Sequence, residues 1–228
     1  MVQGLFNYLN AGGMLWGKMK NDNSWYLKFF TFLILAIAIP VMFQNSSHAT
    51  VIDPVVFLKD AVDEIISILQ DEKLSAQNRR VERKKLMVAI VEKKFDFREM
   101  SMRALAKHWQ ERNPAEQDRF VSLFKTLLEN TYLAKIETYS GEKVTFKKAA
   151  LQGNKAIVYS DLIRKNVQTP VNYKLKNIDD RWMVYDVEVE GVSLVNNYRT
   201  QFASILSKEN FAGLIARLEE KVSKGAVE

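Results

Sequence analysis

The stretch KVTFKKAALQGNKAIVYSDLIRKNVQTPVNYKLKNIDDRWMVYDVEVE, residues 143–190, decides the fold. It is rich in valine, isoleucine and aromatic residues, and turn signals at Gln152-Gly153-Asn154 and Asp179-Asp180 interrupt it. The pattern predicts four strands, at residues 143–151, 154–164, 167–178 and 181–190. Because these connections are too short for crossover helices, the strands are predicted to be antiparallel neighbours in a meander.

The second predicted strand is apolar on both sides. Ala156 and Val158 alternate with Ile157 and Tyr159, so that neither face of this strand is clearly polar. A sheet with such strands is covered on both faces, or it is curled enough to enclose something.

Helical periodicity precedes the strands. Asp53-Pro54 resembles an N-cap followed by proline at the first helical position, and this helix is predicted to end near Asp71. A second helix is predicted to begin near Ser75, and a third carries Met100, Ala104, Leu105 and Trp109. The segment Asn113-Pro114-Ala115-Glu116 resembles a capping box, and it starts a long helix that ends near Gly141.

Helical periodicity also follows the strands. Ser193 is the predicted cap of one helix, and a last helix is predicted over residues 209–224. Helices first and strands second predict an α+β fold. In this prediction the N-terminal helices pack on a strongly curved, four-stranded antiparallel meander, and the C-terminal helices close it.

The N-terminal region predicts export. The apolar run at residues 29–43 follows Lys18, Lys20 and Lys28 and precedes Ser47-His48-Ala49, so cleavage by a signal peptidase is expected after Ala49. This run is shorter than the ~20 residues that a permanent transmembrane helix needs. Residues 1–49 are thus predicted to be a leader and signal peptide, and a start at Met19 would give a signal of ordinary length. Residues 50–228 are predicted to form a single domain.

Composition narrows the function classes. Cleavage removes three lysines and one aspartate, which leaves 30 basic and 26 acidic residues and a net charge of +4. With no cysteine in the chain and His108 as the one histidine after residue 49, thiol nucleophiles, disulfides and histidine metal clusters are excluded. We expect no metal and no cofactor. Because export is expected and the mature chain is only mildly basic, nucleic acid is not an expected partner.

Two groups of residues resemble the MlaC family of periplasmic phospholipid-binding proteins, also called toluene-tolerance proteins. The first group is WMVYDV at residues 182–187, EGVSLVNNYR at residues 190–199 and QF at residues 201–202. The second is HW at 108–109, PAEQ at 114–117, RF at 119–120, Phe124, LL at 127–128 and TY at 131–132. Together with the signal peptide, this resemblance covers nearly all of the mature chain.

The resemblance implies a soluble periplasmic carrier, which we expect to be a monomer and not an enzyme. Its cargo would be a glycerophospholipid. Its partners would be an outer-membrane lipoprotein complex and an inner-membrane ABC transporter with an MCE-domain ring, in a pathway that maintains outer-membrane lipid asymmetry. The implied fold is a helix-covered, curved sheet related to NTF2-like cones, with acyl tails inside and the head group at the mouth.

Candidate lining residues lie on the long helix, on the strands and after the last turn. They are Phe124, Leu128, Tyr132, Ile136, Val158, Tyr173, Leu175, Val184, Val187, Val192, Leu194, Tyr198 and Phe202. For each of them ordinary core packing predicts the same pattern. Arg103 and Arg199 could pair with a lipid phosphate, although a plain surface position is the alternative.

Two other function classes stay open at this stage. Cone-shaped folds can house isomerases or dehydratases that use an acid in an apolar pocket, and Asp161, Asp186 and Tyr185 are the candidates for such roles. Asp186 would otherwise face solvent or bind backbone donors. The third class is an adaptor anchored in the membrane by residues 29–43.

Overall fold

The computed structural model describes residues 52–225. The predicted leader, signal peptide and cleavage site lie outside the described residues. None of the helices within 52–225 combines the length and the apolar character that crossing a bilayer requires. The α-helices are α1 (Pro54–Gln70), α2 (Glu72–Ser75), α3 (Arg80–Lys94), α4 (Phe97–Leu105), α5 (Pro114–Glu137), α6 (Leu194–Leu206) and α7 (Phe211–Gly225). Two 3-10 turns occupy Gln77–Arg79 and Ala106–Trp109.

Side-chain caps fix the helix starts where the sequence predicted them. The Asp53 side chain accepts a hydrogen bond from the Val55 backbone N–H at 2.7 Å. At the start of α5, the Asn113 side chain accepts from the Glu116 backbone, and the Glu116 side chain accepts from the Asn113 backbone, both at 3.0 Å. The predicted capping box is therefore confirmed. Ser193 caps α6 by accepting from Asn196, also at 3.0 Å.

The strands form one antiparallel sheet in sequence order. They are β1 (Lys143–Gln152), β2 (Lys155–Arg164), β3 (Val167–Ile178), β4 (Arg181–Val189) and β5 (Val192–Ser193). Register shifts between Phe146 and Ala149 in β1, and between Lys174 and Leu175 where β3 pairs with β4, mark irregularities that bend strands locally. The α+β class and the antiparallel meander are confirmed.

Three details of the predicted fold are wrong. The sheet has a fifth strand, because Glu190 and Gly191 adopt positive φ angles of 51° and 80° and turn the chain tightly enough for Val192 to pair with Val189. The helix predicted from Ser75 is interrupted, since Ala76 is extended and α3 begins only at Arg80. The third helix ends as an α-helix at Leu105, because Ala106 has φ 51°.

Two separate apolar cores hold these elements. The helical core joins α4, α5, α6 and α7, and its most buried aromatic members are Phe120, Phe124 and Phe202. The sheet core joins α1 to β2, β3 and β4; its buried members are Leu58, Ala156, Val158, Leu175, Trp182 and Val184. Phe95, at the C-terminal end of α3, packs at the edge of both cores.

Candidate functional site

A cavity of about 450 Å³ lies where the two cores face each other. Residues at the edge of the helical core line one side of it, and residues at the edge of the sheet core line the other. The lining residues are Val91, Phe95, Phe97, Met100, Leu128, Glu129, Tyr132, Leu133, Lys135, Ile136, Tyr173, Val187, Val189, Val192, Leu194 and Asn197. The wall is therefore almost entirely apolar and aromatic, as ligand pockets commonly are.

The mouth of this cavity carries exposed apolar side chains. Val189 at the end of β4 is 43% exposed, and its partner Val192 in β5 is 62% exposed. The turn at Glu190 and Gly191 holds the two valines opposite each other. Exposed apolar residues that continue into an apolar cavity mark a surface that can contact an apolar ligand.

Few polar groups reach the cavity. Lys135 is exposed, and its Nζ lies 5.5 Å from the centre of the Tyr132 ring. Glu129 lies deeper, 3.9 Å from the Lys125 ammonium, and desolvation raises the pKa of its carboxyl group. Within residues 52–225, no ion pair involves Lys135, so its ammonium is available to an anion.

Two tyrosines of the lining differ in their partners. Burial raises the pKa of Tyr132 to about 12, and its hydroxyl also interacts with that of Tyr198. Burial alone raises the pKa of Tyr173 to about 12. Both side chains therefore remain neutral at physiological pH and can donate hydrogen bonds.

The structure separates the predicted lining residues into two groups. Seven of them line this cavity: Leu128, Tyr132, Ile136, Tyr173, Val187, Val192 and Leu194. The others pack in the cores: Phe124 and Tyr198 with Phe202 in the helical core, and Val158, Leu175 and Val184 in the sheet core. Tyr198 and Phe202 also line a separate cleft of about 380 Å³ between α5, α6 and α7.

The two arginines proposed for a head group do not line the cavity. The Arg103 guanidinium binds Glu99 at 2.6 Å and lies over the Tyr185 ring at 4.3 Å from its centre. Arg199 is exposed, and its Nε donates a hydrogen bond to the Arg103 carbonyl oxygen at 2.9 Å. Both side chains thus have partners in the protein, whereas Lys135 is the cation that lies in the cavity wall.

The candidates for acid catalysis also lie outside the cavity lining. Asp161 is 2% exposed and pairs with Lys147 at 2.6 Å. Asp186 is 5% exposed, and it accepts hydrogen bonds from the Ser193 hydroxyl at 2.7 Å and the Val195 backbone at 3.1 Å. Of the two expectations for Asp186, backbone binding is therefore confirmed. It ties β4 to the start of α6.

Sequence reasoning missed Lys135 and Glu129, although one signal pointed to them. Tyr132 and Ile136 were predicted to line the cavity, and Lys135 lies one turn beyond Tyr132 on α5. Residues three and four apart share a helix face, so a cation at this spacing borders the same surface. Sequence reasoning also missed Val91, Phe95 and Phe97, because whether they line the cavity depends on how α3 and α4 pack.

Residues 59–220 match the sequence profile of the family described as "MlaC protein". The chain is 20% identical over 208 residues to the "Intermembrane phospholipid transport system binding protein MlaC" of Haemophilus influenzae, covering 86% of this chain and 94% of that protein. It is 27% identical over 125 residues to "Toluene tolerance protein ttg2D" of Pseudomonas putida, covering 50% of this chain and 58% of that protein.

A solved structure has the same fold. It is a phospholipid-binding protein from Ralstonia solanacearum, determined in complex with a phospholipid. The sequence identity is 25%, the TM-score is 0.68, and the match covers 76% of this chain and 99% of that one.

Proposed function

The chain belongs to the MlaC family, and we propose that it is a periplasmic phospholipid carrier that holds acyl tails in the cavity between its two cores. The observation that carries this proposal is the apolar cavity of about 450 Å³ with exposed Val189 and Val192 at its mouth. The phospholipid in the related Ralstonia solanacearum structure gives the cargo class.

The energetics of transfer suit such a carrier. Two acyl chains contain ~30 methylenes at ~0.8 kcal/mol each, so their removal from water corresponds to ~24 kcal/mol, beyond the practical limit of noncovalent affinity. The relevant reference is the bilayer, where the tails already lie in hydrocarbon. Transfer from there into an apolar cavity is close to neutral, and the carrier can therefore both load and unload.

The head group would remain at the mouth, near Lys135. A lipid phosphate is an anion, and the Lys135 ammonium has no ion-pair partner among residues 52–225. An exposed ionic contact contributes up to about 1 kcal/mol. Such a contact orients the lipid, and it is weak enough to leave the release of the lipid fast.

The remaining parts of the proposal concern location and partners. We place the mature protein in the periplasm as a monomer, after cleavage behind Ala49. It would exchange glycerophospholipid between an outer-membrane lipoprotein complex and an inner-membrane ABC transporter with an MCE-domain ring. The bends at the register shifts of β1 and β3 would give the sheet the cone-like curvature that encloses the tails.

Detergent-free purification tests the proposal directly. The protein is expressed with its native N-terminus, isolated from the periplasm and extracted with organic solvent, and the extract is analysed by mass spectrometry. We expect phospholipid in near-stoichiometric amount. Protein that contains no lipid, and that takes up none from phospholipid vesicles, would contradict the proposal.

The intact mass of the purified protein tests export separately. Cleavage after Ala49 gives an N-terminus at Thr50, whereas a membrane-anchored adaptor keeps residues 29–43 and stays in the membrane fraction. If the protein contains lipid but its N-terminus is uncleaved, the proposed lipid binding would stand, and the proposal that the carrier is free in the periplasm would be refuted.

A further inference from the structure

The Tyr173 hydroxyl is one of the polar groups in the cavity wall. The residue lies in β3 on the face that packs against the sheet core, and its side chain still retains accessible surface. Because Tyr173 lines the cavity, that surface faces the cavity. Within residues 52–225, no group forms a hydrogen bond with this hydroxyl.

The other tyrosine of the lining provides the contrast. The Tyr132 hydroxyl interacts with Tyr198, and Tyr198 in turn interacts with the Thr131 side chain. The Tyr132 hydroxyl therefore has polar neighbours at the wall of the helical core. Tyr173 has no such arrangement, so its hydroxyl is left to form a hydrogen bond with a ligand group in the cavity.

The position of Tyr173 relative to the mouth follows from the strand register. Val189, at the mouth, pairs with Val171, and Val187 pairs with Tyr173. Tyr173 is thus two residues further in than the exposed rim, a distance of about 7 Å along the strand. In a glycerophospholipid with its phosphate at such a rim, the ester carbonyls lie one glycerol unit below the phosphate, at the top of the tails.

We propose that the Tyr173 hydroxyl donates a hydrogen bond to an ester carbonyl of the bound lipid, so that the cavity selects ester-linked over ether-linked glycerophospholipid. This inference rests on the proposed function and assigns the lipid class. A carbonyl oxygen is an acceptor that suits a neutral phenol. An ether-linked lipid lacks this carbonyl and offers only the ether oxygen within the chain, so it loses the hydrogen bond between the carbonyl and Tyr173.

The experiment compares two lipids that differ only in this group. Delipidated full-length mature protein is equilibrated with vesicles of a dipalmitoyl glycerophospholipid or of its dihexadecyl ether analogue with the same head group. The fraction of lipid-loaded protein is then measured. For the wild type we expect loading equilibria about 2- to 10-fold in favour of the ester lipid, the range that one neutral hydrogen bond provides. This comparison needs no variant.

Tyr173→Phe should abolish the preference, because it keeps the ring and removes the donor. Its loading with the ester lipid should fall by the same factor, and its loading with the ether lipid should stay unchanged. Tyr132→Phe is the matched control, since its hydroxyl lies near Tyr198 in the helical core; it should affect both lipids equally.

The outcomes separate this inference from the proposed function. Wild-type protein that loads both lipids equally, or a Tyr173→Phe variant that keeps the ester preference, would overturn the role of Tyr173 and leave the carrier proposal standing. Wild-type protein that loads neither lipid would refute the carrier proposal itself.

Discussion

Replacing Val187 with phenylalanine tests whether the space between the two cores is unfilled. Val187 lies in β4 opposite Tyr173 and lines the cavity. Val184, on the same strand, is fully buried in the sheet core opposite Leu175. The same substitution at these two positions adds the same ring to two environments that the sequence pattern does not distinguish.

The expected changes in stability follow from the space available at each position. A cavity of about 150 Å³ is large enough for benzene, and this cavity measures about 450 Å³. The ring of Val187→Phe should therefore fit, and the free energy of unfolding of the lipid-free protein should change by less than about 1 kcal/mol or increase. Val184→Phe has no space, and overpacking should cost about 1 to 3 kcal/mol.

Urea unfolding of the delipidated variants gives the stabilities, and organic extraction with mass spectrometry gives the lipid content. Val187→Phe should be a stable protein with reduced lipid, because the ring occupies the volume of the tails. A Val187→Phe variant destabilised as strongly as Val184→Phe would show that the interior is closed at this position. A stable variant with unchanged lipid content would place the tails elsewhere.

Three further predictions concern the core, the buried carboxyl group and the mouth. Phe124→Ala should lower the free energy of unfolding in urea by about 3 to 5 kcal/mol, since this residue is fully buried against other aromatic rings; a much smaller loss would mean that it faces the cavity. Because burial raises the pKa of Glu129 above its ordinary 4.5, the folded state holds a proton that the unfolded state releases, so this group's contribution to stability falls as pH rises from about 4.5 through the folded pKa. Glu129→Gln should flatten that part of the stability profile, and an unchanged slope would assign it to another group. Lys135→Gln should lower lipid loading about 2- to 5-fold at low salt and by a smaller factor at high salt. Arg199→Gln is the control and should leave loading unchanged, because Arg199 lies outside the cavity lining. The reverse pattern would identify Arg199 as the partner of the lipid phosphate.

The features that sequence predicted well are local ones. The turn at Asp179 and Asp180 requires positive φ at both residues, and aspartate tolerates the observed 49° and 62°. The capping box at Asn113 and Glu116 depends on residues three apart. Signals of this kind are complete within a few residues, so no tertiary contact is needed to interpret them.

Cavity and core residues look the same in the sequence because they share the same periodicity. Phe124 and Leu128 lie one turn apart on α5, and both belong to its apolar stripe. Phe124 is enclosed by aromatic rings of α6, whereas Leu128 borders the cavity. The two residues differ in whether another element packs against their turn of α5. The sequence of α5 itself does not show this.

The head-group candidates failed to reach the cavity for a related reason. Arg103 was chosen for its guanidinium chemistry, but Glu99 on its own helix and the Tyr185 ring on β4 bind it. The residue type determines which groups a side chain can bind. Its neighbours in the fold determine whether the side chain is still available to a ligand. Lys135 borders the cavity beside Tyr132 and Ile136 on α5.

The separation of the two cores links stability to function in this fold. Phe95 touches both cores, and larger residues at positions such as Val187 would join them and bury more apolar surface in the empty protein. Such residues would also remove the volume that tails need. A carrier of this design therefore keeps an unfilled interior at some cost to the stability of its empty form, and bound lipid restores that stability through the free energy of binding. Lipid loading should accordingly raise the unfolding temperature of the wild type, and it should raise that of Val187→Phe by less.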